Sequence, residues 1–275
     1  MKTVDRSLLP DSRQLGLTLV ELMIGIALSL LVILAVISVF SGSRASYRHQ
    51  ESFSAVQESG RIALEVLGRD LRMAGYPGCG NLGFLNHRSA NAPDPLDRFS
   101  NEVALAGDSN AITLVRGSAE STLLTASPAG NQIEVGDLSV LGAVAAGDRL
   151  LLTDCAFTEV LRVAAVAGNQ VTAVANLSRQ FRPGTQVMRL ERVVFARSAA
   201  NELTRNNQPI VAGVTALNFQ YGIAAPGSRS SLNYNNAPTA DELNSTVVVR
   251  IGMTMRENDI AMPFNSTVTL RNRAP

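Results

Sequence analysis

The chain has 275 residues, of which 46% are hydrophobic, 17% charged and 5% aromatic, and its formal net charge is +1. That charge argues against an electrostatic nucleic-acid binder, and the bulk of the length is ample for one globular domain with a core of its own. The two cysteines, Cys79 and Cys155, lack the Cys-x-x-Cys spacing of a redox motif or a zinc site.

The N-terminal segment carries Lys2, Arg6 and Arg13 against Asp5 and Asp11. The positive-inside bias keeps such a segment in the cytoplasm, so the large C-terminal part is expected to be exported. The uncharged apolar run from Leu22 to Phe40 spans about 28 Å at about 1.5 Å per residue, close to the hydrocarbon thickness of a bilayer. The rest is too polar for a second span. A secretory signal has an apolar core of about 7 to 15 residues followed by a small-residue cleavage site. Here the core is longer and Gly16 precedes it, although Ser41, Gly42 and Ser43 keep a conventional signal as an alternative. Glu21 stands at the edge of the run. A carboxylate in hydrocarbon costs about 2.5 to 3.5 kcal/mol, so Glu21 needs a partner, or it snorkels to the headgroups.

From Ser41 to Gly75 there is no proline. Phe53, Val56, Gly60, Ala63, Leu67, Leu71 and Ala74 recur in steps of three and four, which predicts a helical stripe. Arg61, Glu65, Arg69 and Arg72 fall on the other face, with Glu65 and Arg69 spaced as an i,i+4 pair. One helix over 17 to 75 would be about 88 Å long. Its first half is apolar all round and suits lipid or like helices, whereas its second half suits packing on a sheet. Gly42 is placed to loosen the junction. The stop is Gly75-Tyr76-Pro77-Gly78-Cys79-Gly80, rich in glycine and ended by proline. Cys79 and Cys155 both fall on the exported side, where an oxidising compartment favours one disulfide over two buried thiols.

Beyond Gly80 the period shortens to that of strands. Candidates are 111–116, 132–135, 149–153, 159–166, 170–174, 186–197, 215–221, 246–256 and 266–271, separated by turn signals such as Ala167-Gly168-Asn169 and Asn206-Asn207. Gly80 to Asn101 and Ala224 to Ser245 read as loops.

Several strings carry a family resemblance. Gly16-Leu17-Thr18-Leu19-Val20-Glu21-Leu22-Met23-Ile24, behind a short charged leader, resembles the class III signal of type IV prepilins and pseudopilins. Leu71-Arg72-Met73-Ala74-Gly75-Tyr76, Gly78-Cys79, Asp154-Cys155 and the terminal Arg271-Asn272-Arg273 are similar to PilW-type minor pilins. The resemblance implies an α+β pilin-like lollipop: a cytoplasmic leader over 1–16, a membrane or filament-core half-helix over 17–40, an amphipathic half over 41–75 and a β-rich antiparallel head over 76–275. It implies that a prepilin peptidase cuts between Gly16 and Leu17 and N-methylates Leu17. Glu21 would then neutralise the terminal amine of a neighbouring subunit. The implied partners are other minor pilins, the major pilin, a large adhesin-like tip protein and the inner membrane, with the head in the periplasm before assembly into an extracellular pilus.

Little else in the sequence suggests chemistry. His49 and His87 have no ligand spacing, and neither a nucleophile elbow nor a phosphate loop occurs. Asp94, Asp97, Asn101 and Glu102 are candidate oxygen ligands for calcium, without the spacing of an EF-hand. No cofactor, metal or catalytic residue is expected. The reading is therefore a minor pilin that initiates or caps pilus assembly and supports twitching motility. The alternatives are a J-type pseudopilin of type II secretion, a tethered binding module and an exported enzyme.

Overall fold

The structure, a computed structural model, describes residues 18–79, 86–87, 96, 99–225 and 228–273. The chain divides into two compact units, Met1–Glu51 and Ser52–Pro275. Helix α1, Leu19–Arg72, begins in the first and ends in the second.

In the first unit every described helical residue is exposed. Leu19 is 74% accessible and Ile26, in mid-run, 53%. The helix continues unbroken through Ser38 and Gly42, with Ser41 Oγ donating to the Ser38 carbonyl at 3.0 Å, so Gly42 does not end it. Arg44 stacks over the Phe40 ring at 4.7 Å, where the apolar run gives way to polar residues.

In the second unit α1 buries Ser52, Val56, Gly60, Ala63, Leu67, Gly68, Asp70 and Leu71. The expected stripe is present except at Phe53, which is 42% exposed while its neighbour Ser52 takes the inward position and accepts a hydrogen bond from Asn258 Nδ2 at 2.8 Å. Arg61 pairs with Glu58 at 2.7 Å and with Glu65 at 3.5 Å, so Glu65 engages the preceding turn instead of Arg69.

The remaining elements, in chain order, are β1 (Asn86–His87), α2 (Asn101–Ala104), β2 (Leu105–Gly107), β3 (Ala111–Leu123), β4 (Gln132–Glu134), a 3-10 turn (Leu138–Leu141), β5 (Arg149–Thr153), β6 (Phe157–Ala167), β7 (Gln170–Ala173) and β8 (Gln186–Arg197). They continue with β9 (Glu202–Arg205), β10 (Gln208–Ala212), β11 (Val214–Ala225), β12 (Ser228–Asn235), α3 (Ala240–Asn244), β13 (Thr246–Glu257), β14 (Ile260–Thr269) and a final 3-10 turn (Arg271–Arg273).

The last four strands form an antiparallel sheet in the order β12-β11-β13-β14. Its inward side chains, among them Phe219, Tyr221, Ile251 and Met253, share one core with Val56, Ala63, Leu67 and Leu71 of the helix. Gly60 is required at the closest approach, because a Cβ there would collide with the Phe264 ring. Tyr221 is fully buried and donates to the Asp108 carbonyl at 3.0 Å, and its burial pushes the phenol pKa up.

The larger sheet runs β10-β9-β8-β5-β6-β7-β4, with β3 on the other edge of β8 and β2 outside β3. One end, through Ile112, Leu114, Val193, Phe195 and Leu203, joins the helix core. The other end closes a separate core around Leu150, Leu152, Leu161, Phe181 and Val187. A third cluster, with Phe99, Val115, Leu151 and Met188, covers the face of the sheet turned away from the helix.

One expected loop is built differently. Residues 228–235 pair along β11 as β12, and α3 follows with a capping box between Thr239 and Glu242. An outermost strand held by backbone bonds needs no apolar alternation, which is why its Ser and Asn content reads as loop. Tyr234 lies under the Arg250 guanidinium at 4.1 Å. In the other expected loop, Asn86 and His87 pair in parallel with β6, while Asp94 and Asp97 lie outside the described residues.

Candidate functional site

Two parts of the chain carry functional candidates, and the first is the start of α1. Thr18 caps the helix: its hydroxyl accepts from Glu21 N at 3.2 Å and its carbonyl from Leu22 N at 3.2 Å. Glu21 therefore sits in the first turn, where a carboxylate complements the helix dipole. Gly16 and Leu17 lie outside the described residues. From Leu22 to Phe40 the helix presents apolar side chains on every face, and it is long and apolar enough to cross a membrane. A helix apolar all round is stable only inside lipid or among like helices.

The second part is the end of α1, which the head grips in three ways. Cys79, just past the helix, is bonded to Cys155, with 4.9 Å between Cα atoms and a sequence separation of 76. The local sequence explains that geometry. Asp154 Oδ1 accepts from Ala156 N at 3.1 Å and Phe157 N at 2.8 Å, closing a tight turn that holds Cys155 at φ 68. Arg179 pairs with Asp154 at 3.6 Å and stacks on Phe157 at 3.8 Å. Gly78, at φ 89, leaves the space in which Met188 and Gln186 pack.

The terminal Asn272 makes the next connection. Its Nδ2 donates to the carbonyls of Arg72 and Ala74 at 3.3 and 3.4 Å, which satisfies acceptors that a helix end leaves unpaired.

The third is a buried charge cluster that sequence reasoning missed. The Asp70 side chain is 1% exposed on the inward face of α1, and Arg205 Nε of β9 donates to its Oδ2 at 2.8 Å. Arg116 of β3 lies 3.4 Å from Asp70 Oδ1, too poorly aligned to hydrogen-bond it, and 3.1 Å from Glu191 of β8. Arg116 thus supplies charge and Arg205 the directed bond. The signal was present: Asp70 falls in the series Leu67, Leu71, Ala74, an acid at a stripe position. Replacing both cations, Arg116→Met with Arg205→Met, is expected to cost about 3 to 5 kcal/mol, because the carboxylate stays buried without a partner. Adding Asp70→Met should recover most of that loss, as urea unfolding of wild type and the two variants would check.

These features span both ends of the chain, and each end matches a family model. Residues 11–37 match the prokaryotic N-terminal methylation motif, which takes in Gly16, Leu17 and Glu21. Residues 177–272 match type IV pilus-assembly protein W, a stretch that runs from before β8 to Asn272 and includes Arg205 and every strand of the four-stranded sheet. No curated protein matches the chain. The family is one of structural pilins rather than enzymes, whose members interact with other pilins and with a prepilin peptidase. The apolar helix and the motif together point to a single-pass inner-membrane anchor. The two matches, one at each end of the chain, support a type IV pilus minor pilin of the PilW type.

Proposed function

We propose that the chain is cut after Gly16, N-methylated at Leu17, and then joins a complex of minor pilins that initiates or caps a type IV pilus. The observation that carries this reading is the helix from Leu22 to Phe40, exposed on all faces, with a single acid in its first turn. Such a helix leaves lipid only for an environment equally apolar. In that environment the carboxylate of Glu21 and the amine freed at Leu17 of a neighbour offset one another's desolvation. The amine would stand one residue before the Thr18 cap, so the charged pair lies at the helix ends and all the following turns remain apolar.

In this reading the mechanism is packing. The head folds in the periplasm, selects neighbours among other minor pilins and the major pilin, and is carried to the filament tip beneath a large adhesin-like protein, so that loss of the chain reduces twitching motility. The match to a pilus-assembly family favours this over a J-type pseudopilin of type II secretion.

The test is Gly16→Glu. The variant should accumulate as an uncut precursor in the inner membrane and be absent from sheared pili. Recovery of a mature chain with Leu17 as its first residue, read by N-terminal sequencing, would defeat the reading.

A further inference from the structure

Just beyond the apolar run, α1 carries Ser43, Arg44, Tyr47, Arg48 and Glu51, whose side chains border a shallow groove on the helix surface. All five belong to the first unit, in which every described helical residue is exposed. They fall in two adjacent rows of i,i+4 spacing, with Phe40, Arg44 and Arg48 in one and Ser43, Tyr47 and Glu51 in the other. One face of the helix thus combines two guanidinium groups, two hydroxyls and an aromatic ring.

The height of this face follows from the span. Phe40 is the last residue of the apolar run, and at about 1.5 Å per residue Arg44 stands about 6 Å past it and Arg48 about 12 Å. The polar layer of a bilayer adds about 5 to 8 Å on each side of the hydrocarbon. Helix side chains lean toward the N-terminus, which at this end of the span is toward the bilayer. Arg44 displays that lean, because its guanidinium lies over the Phe40 ring, one turn back, at 4.7 Å. The same direction carries the Arg48 side chain back toward the level of Arg44. The two cations therefore bracket the layer in which lipid phosphates lie. Tyr47 stands between them, 69% exposed, an amphipathic ring of the kind that collects at that level.

The charges fix what the face takes. From Leu22 to Gln50 the sequence has no acid. Neither Arg44 nor Arg48 has an ion pair among the described residues, and Glu51, at the far end of the groove, makes none either. The charge left to satisfy is guanidinium, and the group found at this height in a bilayer is phosphate, which a guanidinium holds through two parallel hydrogen bonds. The hydroxyls of Ser43 and Tyr47 add donors of their own. A zwitterionic headgroup would bring an ammonium among the two arginines, whereas an anionic one brings no opposing cation.

We infer that this face is a headgroup site for an anionic phospholipid, in which Arg44 and Arg48 hold the phosphate and Tyr47 sets the height of the helix in the bilayer. The site rests on the reading of Leu22 to Phe40 as a membrane span. A subunit that leaves the bilayer for a filament gives up this phosphate, so the contact keeps it at one depth until it is drawn out.

The chain has no tryptophan, so a single introduced one reports its own surroundings. The test uses the full chain in phosphatidylcholine bilayers in which phosphatidylglycerol is the minor lipid, with bromine on the acyl chains of one lipid or the other as quencher. Val36→Trp places the reporter one turn below Phe40, on the row of Arg44 and Arg48, where the acyl chains of a lipid held by them must pass. Leu28→Trp, in mid-run, reports whether the helix spans at all. From position 36, phosphatidylglycerol is expected to associate about fivefold more strongly than phosphatidylcholine, the scale of one arginine at an anionic surface. Adding Arg44→Gln with Arg48→Gln should reduce that preference to about one, and Arg44→Lys with Arg48→Lys should keep most of it. Equal quenching by the two lipids at position 36 while position 28 is quenched, or a preference that survives the glutamine pair, would overturn the headgroup site and leave the span standing. Failure of either lipid to quench at both positions would overturn the span as well.

Discussion

Removing both cysteines, Cys79→Ser with Cys155→Ser, is expected to destabilise the head by up to about 4.5 kcal/mol and lower its melting temperature by about 10 to 15 °C. The cross-link closes a loop with a sequence separation of 76, and its chief effect is to restrict the unfolded chain. The substitution itself is mild, since Cys155 is exposed and Cys79 half-buried, so that serine is solvated at both positions. Calorimetry on the exported head, with and without a thiol reductant, checks this directly. Reduced wild type should melt with the double variant, and a loss below about 1 kcal/mol would mean that the unfolded chain already keeps these segments together. The location matters as much as the size. The bond ties the residue just past α1 to the turn between β5 and β6, so its loss should loosen the end of the helix before the four-stranded sheet, visible as faster amide exchange at Met73 to Tyr76.

Glu21→Ala is expected to leave cleavage intact and abolish entry into pili, reducing the chain in sheared filaments by about a hundredfold relative to its level in the membrane. That factor corresponds to about 2.5 to 3.5 kcal/mol, the scale of leaving one charged group without a partner in an apolar environment. Glu21→Gln separates charge from hydrogen bonding: it keeps the acceptor near the Thr18 cap but cannot neutralise an amine, so it should fail nearly as badly as alanine. Quantitative immunoblotting of sheared and membrane fractions, with a twitching assay on the same strains, provides the readout. Normal incorporation of either variant would remove the register role proposed for the acid.

The parts of the molecule that were legible in the sequence are those governed by neighbours along the chain. The apolar run, the helical stripe from Val56 to Leu71, the strands at 149–153 and 186–197, and the turns at Gly168 and Asn206-Asn207 all follow from local periodicity and backbone preference. The N-terminal methylation motif was legible for the same reason, as a short contiguous string beside a long apolar one. The β12 segment was not, because an edge strand is held by bonds to β11 and carries no pattern of its own. Thr239 and Glu242, beyond β12 at the start of α3, form a capping box whose spacing the sequence does carry. Phe53 illustrates a different limit: its spacing fits the stripe, yet Ser52 takes the buried place because Asn258, more than 200 residues away, supplies its hydrogen-bond partner.

By itself, then, the sequence determined the helix, its apolar and amphipathic halves, the acid at its first turn, the β-rich character of the head and the pair of cysteines. These depend on composition, period and compartment, which act over a few residues or on the chain as a whole. Only the tertiary structure decided which partners the head's residues meet: Asp70 with Arg205 and Arg116, Asn272 with the last carbonyls of α1, and β8 shared along one edge between β5 and β9. The physical reason is that a side chain's charge or a strand's free edge is a local property. What satisfies it comes from segments distant in sequence, brought there by the packing of the whole domain.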